Sequence, residues 1–482
     1  MGEIEAGSTS SLAGAGESQL EIVVLRDDNA LIPVSDEVKK WFGSILNGES
    51  TENQHEAICS KIEKVPGMLR DVKKNSGCYV PMVVSIGPYH RGKPELKLMQ
   101  KHKLTMARQY VKGVDPKLLQ ELYQKVNRLA IDAKKCYTDL SEVAKKDEDT
   151  DQSSAAKKNE DTDHGSVADE EFSQMMFLDA CFILQFIYRI VKKEEEALKM
   201  KSNMIALVQR DLFLLENQIP FQVLNELSFE SKFGDENSKQ TMLNEFVTLF
   251  LGLPAQSPKK VQDERKIAEK FEPAHLLDLM HSNLLGKSDW SQHSTGSDWT
   301  SYRSVKELKA VGIHCRPSET NKFTDVAFKT GYLAKLELPR IRIDDSTKSM
   351  LQNMVAYESS PNGPNDLGVS SYVCLMNSLI DHAEDVKELR SKGILLNCLG
   401  SDQQVADLFN EIADNLVSRQ HAYRTTKEEI ETHYKNIWKN WLGECVHNHF
   451  TSPWTVLVFI GAVLAIFLSV NQTLELFKPS KS

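Results

Sequence analysis

Apolar residues recur at steps of three and four along most of this chain, a period that predicts a mainly helical body. Glu95–Val111 and Pro116–Tyr137 read as amphipathic helices, with His90 and His102 on either side of the first helix start. Phe172–Val191 is strongly apolar but is interrupted by Asp179, Gln185 and Arg189, which predicts a central core helix rather than a membrane span. Asn203–Asn217, Thr241–Leu251, Ser371–Leu389 and Gln403–Leu416 continue the helical period, and a long polar helix runs from about Thr425 to Trp441. Near the start of the chain, Val38, Trp41, Phe42, Ile45 and Leu46 form an apolar stripe behind Ser35, a docking face capped at its N-terminus. Strand-like runs are few and short: Tyr79–Ile86, Phe323–Phe328, and Tyr332–Ile343 around Pro339. They show no βαβ rhythm, so a doubly wound sheet is not expected.

The C-terminal segment breaks this pattern. Between Glu444 and Glu475 lie 30 residues without an Asp, Glu, Lys or Arg. Trp454–Val470 is almost purely apolar, and Pro453–Leu474 spans about 33 Å as a helix against a hydrocarbon core of about 30 Å. Trp438, Trp441, Phe450 and Trp454 crowd its N-terminal side like an interfacial aromatic belt. The expectation is a single transmembrane helix at 453–474 followed by a short polar tail, 475–482.

Composition supports a sizeable core: 41% of the 482 residues are hydrophobic, and the net charge is −10. A general nucleic-acid binder is normally basic, so no nucleic-acid partner is expected. Eight dispersed cysteines without a C-x-x-C pair read as reduced thiols rather than a disulfide framework. The first residues carry acidic side chains and no apolar run, unlike a secretory leader. Gly2 is not a myristoylation site, because Ala6 stands where Ser or Thr is needed. A span close to the end, with no leader, implies a tail-anchored protein with a cytosolic body in the plasma membrane or endoplasmic reticulum. The N-x-[ST] sequon Asn471-Gln472-Thr473 at the membrane edge, with none in the body, agrees with that side.

The expected organisation is a flexible tail at 1–55 with its short amphipathic helix, then a helical body at 56–452. Within the body, 145–171 holds 10 acidic and 4 basic residues and a near-repeat at an offset of 12, from Ala144-Lys145-Lys146 and Ala156-Lys157-Lys158. Such composition cannot bury enough apolar area to order itself, so it reads as a solvated insertion. It lacks the fixed Gly and terminal Glu of an EF-hand loop.

Candidate chemistry is sparse. Asp179 and Glu216 lie in apolar surroundings and need partners if buried, with Arg70, Arg189 and Arg210 available. His275 and His281 are six apart and do not share a helical face. Cys445, His447 and His449 alternate in a helical neighbourhood, which does not suit a zinc site. Nucleophile-elbow, zincin, P-loop, dinucleotide and deaminase motifs are absent from the sequence. No catalytic, cofactor-binding or metal-ligating residue is assigned, and no cofactor is implied.

Several strings nonetheless look like signatures. Val65-Pro66, Leu69-Arg70 and Tyr79-Val80-Pro81 lead to Val84-Ser85-Ile86-Gly87-Pro88-Tyr89-His90. Met176–Leu184, Asp211–Phe221, His275–Leu279, Ser304–Gly312, Ser371-Tyr372-Val373 with Leu379-Ile380-Asp381, and Ser452-Pro453-Trp454 with Asn471-Gln472-Thr473 follow in order. This ordered set, from about Ile62 to Phe477, resembles the plant domain of unknown function 247 family. Cys78 stands where Ala is common, Gly312-Ile313-His314-Cys315 replaces an aromatic-containing string, and the acidic insertion lies outside the common pattern. The resemblance supplies no catalytic residues. It implies a plant-specific membrane-associated protein, with some members linked to pollen–stigma self-incompatibility and, more loosely, to stress and defence.

The functional expectation is a non-enzymatic interaction, recognition or signalling protein held to the lipid bilayer by its C-terminal helix, with its protein partners unidentified. The rival is a membrane-associated, hydrolase-like enzyme using buried Asp179 or Glu216, or His90.

Overall fold

The structure is a computed structural model that describes residues 62–138, 140, 164–228, 230–252, 272–286, 303–331, 334–364, 366–414, 416, 422–449 and 453–476. The expected N-terminal helix and residues 145–163 of the acidic insertion lie outside them.

Helix α1 (Lys97–Tyr110) buries Met99, Lys103, Met106 and Tyr110, one stripe at helical spacing. α2 (Pro116–Lys135) begins where Asp115 accepts the Lys117 N–H at 2.7 Å, with Pro116 at the first helical position, where no donor is needed. Its buried stripe is Leu122, Val126, Ala130 and Ala133. Both pack on α3 (His164–Val191), in which Met176, Ala180, Phe182, Phe186 and Ile187 are fully buried. Burying each such large side chain stabilises by about 1.5–3 kcal/mol, so α3 organises its neighbours. α4 (Ser202–Asp211) leads through a turn to α5 (Phe221–Leu227), and α6 (Glu236–Leu251) starts from Asp235 as its N-cap. Phe246 of α6 meets Phe186 edge-on at 6.2 Å.

The second half adds α7 (Leu276–Leu285) and α8 (Val305–Ala310), the latter opened by a Ser304–Glu307 capping box. Two small sheets follow. β1 (Ile313–Pro317) pairs in parallel with β3 (Ala334–Leu338), and β2 (Ala327–Lys329) pairs antiparallel with β3. β4 (Ile341–Ile343) pairs in parallel with β5 (Leu395–Asn397), reached after α9 (Thr347–Glu358), α10 (Gly368–Leu379) and α11 (Ala383–Ser391). α12 (Asp402–Ala413) packs on α10 and α11, and Phe323 stacks on Tyr372 of α10 at 3.9 Å. α13 (Arg424–His449) and α14 (Pro453–Leu476) complete the described chain. The protein is mainly α.

Several expectations are corrected. Tyr79–Ile86 is not a strand; it is an irregular segment whose N–H groups are taken by side chains, as described below. The expected helix 371–389 is two helices, broken at Ile380–His382, where His382 and Asp385 form a capping box. α4 stops at Asp211 rather than running to Asn217. α3 reaches back to His164, into the segment expected to be a solvated loop. There Asp169 pairs with Lys134 at 2.7 Å and Glu171 with Arg91 at 3.7 Å.

Among the described residues, the helix long and apolar enough to cross a bilayer is Asp169–Val191, not the C-terminal one. Two-thirds (67%) of its apolar window is buried in protein, so it is the core helix the Asp179 interruption suggested. The described apolar run within α14 is shorter, Ile460–Val470.

The expectation of uniformly reduced thiols is also corrected. Cys136 is disulfide-bonded, whereas Cys78, Cys181, Cys315 and Cys398 are free thiols. Dispersed spacing conveys nothing about which thiols the fold brings together.

Candidate functional site

Asp211 ends α4, and its carboxylate is wholly buried. It accepts the N–H groups of Met82 at 3.0 Å, Val83 at 2.8 Å and Val84 at 3.1 Å. Asn217 takes the next donor, Ile86 N–H, at 2.7 Å and donates back to the Val84 and Asp211 carbonyls. Asp179 of α3 takes the Gly87 N–H at 2.8 Å. This explains the failed strand: its donors are satisfied by carboxylates and an amide instead of a ladder. Burial pushes the Asp211 carboxyl above its ordinary range, against the three N–H groups and Arg210, which hold it down.

Lys103 ion-pairs with Asp179 and donates to the Ser85 carbonyl; both side chains are 2% exposed. Gln218 holds the opposite turn, donating to the Leu212 and Leu214 carbonyls at 2.8 Å each. Gly87 adopts φ +69, and a Cβ there would lie 2.5 Å from the Gln218 carbonyl oxygen. The strings 84–90, 176–184 and 211–221 therefore form one interlocked lattice.

Glu216 sits on another side of the same turn. It accepts the Val65 N–H at 2.7 Å and pairs with Arg70, while His90 Nε2 lies 3.6 Å from its second oxygen. Lys93 Nζ donates to His90 Nδ1 at 2.8 Å, which leaves the ring proton on Nε2, facing Glu216. Burial, then Lys93 and Arg70, push the imidazole down to about 3. A base so weak does not suit proton abstraction near neutral pH.

Of the arginines considered from sequence, Arg70 meets Glu216, Arg210 meets Asp211, and Arg189 meets Glu194. Asp179 is paired by Lys103, which the sequence reading missed. The available signal was a lysine standing on the apolar stripe of α1. Asp211 was missed because a helix-terminal acid looks like an ordinary solvated one.

A third cluster joins α7, the end of α9 and the turn before α10. His275 caps α7, its Nδ1 accepting the Asp278 N–H at 3.1 Å, and burial pushes it down to about 4. His281 meets Glu358 at 2.8 Å and lies 3.9 Å from Asp366. Glu358 also accepts Val369 N–H, Ser370 N–H and the Ser370 hydroxyl, capping α10. His281 is raised despite its burial, because Glu358, Asp366 and Asp278 surround it. One ligand atom each from His281, Glu358 and Asp366 lies within 4.8 Å of the others, a spacing able to hold a metal ion. Neither acid was distinguishable in the sequence, since only the fold brings them to His281. The side chains of Cys445, His447 and His449 lie outside the described residues.

Neither of two hollows among the described residues is lined by these groups. The best-formed hollow, between Phe250, Leu284, Phe323, Arg342 and Met350, holds about 20 Å³, room for roughly one water. A larger hollow of about 530 Å³ is walled only by the single turn Lys193–Ala197. Small-molecule sites typically enclose about 300–1,000 Å³ lined by several elements.

Fold and site define a mainly helical protein whose buried polar residues hold irregular backbone in place. The chain belongs to the family described as plant protein of unknown function, DUF247, which matches residues 62–468. It is similar to the UPF0481 protein At3g47200 of Arabidopsis thaliana, 27% identical over 437 residues and covering 83% of each chain. A second UPF0481 protein of the same plant, At3g02645, is 24% identical over 89% of this chain and 93% of its own length. No solved structure matches.

Proposed function

We propose that this chain is a non-enzymatic interaction or recognition protein tethered to a membrane by α14. The carrying observation is that helix itself. Leu457, Ile460, Val463, Leu464, Ile466, Phe467, Leu468 and Val470 are all 47–65% exposed. They point in several directions around one helix, so no single protein groove covers them. Its first 22 residues, Pro453–Leu474, about 33 Å of helix, close a charge-free run of 30, a length suited to a bilayer.

The committed state of the polar groups supports a binding role over the hydrolase reading. Asp179 pairs with Lys103, Glu216 with Arg70, and His90 Nδ1 with Lys93, and these side chains line neither of the two hollows. Tethering raises the local concentration of weak membrane-proximal contacts. The specific form is recognition such as pollen–stigma self-incompatibility, with stress or defence signalling as its alternative; both rest on the family resemblance alone. The Cys136 disulfide favours a body on the oxidising side of the membrane, the reverse of the sequence expectation.

Proximity labelling of the full chain against a chain ending at His449 tests the tether. The expected result is a partner set that changes on removing α14, and an unchanged set contradicts it. Protease protection in intact microsomes tests the side: a protected body is expected, and a digested one restores the cytosolic assignment.

A further inference from the structure

We propose that His281, Glu358 and Asp366 bind one divalent transition-metal ion, with zinc as the probe. His281 Nε2 lies 2.8 Å from Glu358 Oε1 and 3.9 Å from Asp366 Oδ1, and all three ligand atoms fall within 4.8 Å of one another. With metal bonds of about 2.0–2.2 Å, donors at tetrahedral or octahedral angles stand about 3–3.5 Å apart, so sub-ångström shifts complete the site. The ion takes the place of the single hydrogen bond between His281 and Glu358 Oε1.

Charge argues the same way. Glu358 is fully buried, Asp366 is half-buried, and Asp278 lies close by. Among the described residues, no Lys or Arg ion-pairs with any of the three, and His281 is their basic neighbour. A divalent cation supplies the missing positive charge. One imidazole and two carboxylates suit a borderline ion such as zinc or manganese better than magnesium.

The remaining contacts of Glu358 fix its carboxylate, through Val369 N–H at 2.7 Å, Ser370 N–H at 2.8 Å and Ser370 Oγ at 2.6 Å. Support of this kind orients metal ligands. Asp366, 37% exposed, gives the ion a way in from solvent and leaves a coordination position for water. The ligands come from α7, from the last residue of α9 and from the turn before α10. The bound ion therefore ties three elements together.

The test uses the full chain in detergent, stripped by chelator and titrated with zinc chloride, reading bound zinc and melting temperature. One equivalent of zinc and a raised melting temperature are expected. In Asp366→Asn, and independently in His281→Gln, binding should weaken about tenfold or more. Circular dichroism confirms folding, and Asp366 is exposed enough for its variant to fold. Wild-type protein that takes up no zinc overturns the site. So does Asp366→Asn binding as tightly as wild type, including the case where only a Cys445→Ser, His447→Gln, His449→Gln variant loses the ion.

Discussion

At the residue scale, the informative side chains are polar groups buried with assigned partners. Asp211 accepts three backbone N–H groups, so Asp211→Ala leaves all three without a partner in the core. A loss of about 3–5 kcal/mol is expected in chemical denaturation of the full chain in detergent. A loss below about 1 kcal/mol would show that the 82–84 segment holds itself. Asp179→Asn, which leaves Lys103 buried without its counter-charge, should cost about the same.

His90 gives a pH signature. Its folded pKa is lowered from 6.5 to about 3, so its contribution is present above 6.5 and lost as pH falls toward 3. His275, lowered to about 4, acts in the same direction. His281 is raised, so its change falls above 6.5. The lowered carboxyls Glu388, Asp402 and Glu411 begin to matter only below their ordinary 4.5 and 3.8. Asp211, raised by burial, works in the opposite direction as pH falls, so between pH 6.5 and 4.5 the two lowered histidines act against one carboxyl, and stability should drop by a few kcal/mol. His90→Gln should flatten that slope, and an unchanged slope would place the acid sensitivity elsewhere.

At the element scale, the helical period located most helices because each buries one face. α1 and α2 follow their apolar stripes closely, and the interruptions in Phe172–Val191 separated a core helix from a membrane span. The period failed where side chains, not ladders, satisfy the backbone. Tyr79–Ile86 has strand composition, yet its partners, Asp211 and Asn217, lie some 130 residues away. The break at Ile380–His382 was illegible because histidine is an unusual cap. Gly87 tests the lattice at this scale. It and Gly393 share nearly the same φ, +69 and +71, but a Cβ at 393 meets nothing within 4 Å. Gly393→Ala should cost only the left-handed strain, about 1–2 kcal/mol. Gly87→Ala adds the collision with the Gln218 carbonyl and should cost roughly 1–3 kcal/mol more. Equal effects in thermal melts would remove the close approach from the explanation.

At the scale of the whole molecule, the chain pairs a helical body, whose buried Asp179, Asp211 and Glu216 have internal partners, with α14, which is apolar and exposed. The proposed anchor rests on sequence, because a charge-free run of 30 residues can be read without tertiary context. The polar lattice was half legible: its acids stood out, while Lys103 and the backbone they hold did not. The metal cluster was illegible, since Glu358 and Asp366 reach His281 only through the packing of α7, α9 and α10. The central claim is that α14 holds the body to a bilayer, and alkaline carbonate extraction of membranes tests it most directly. The full chain should stay in the membrane pellet, and a chain ending at His449 should move to the supernatant. Identical partition of the two forms would contradict the anchor.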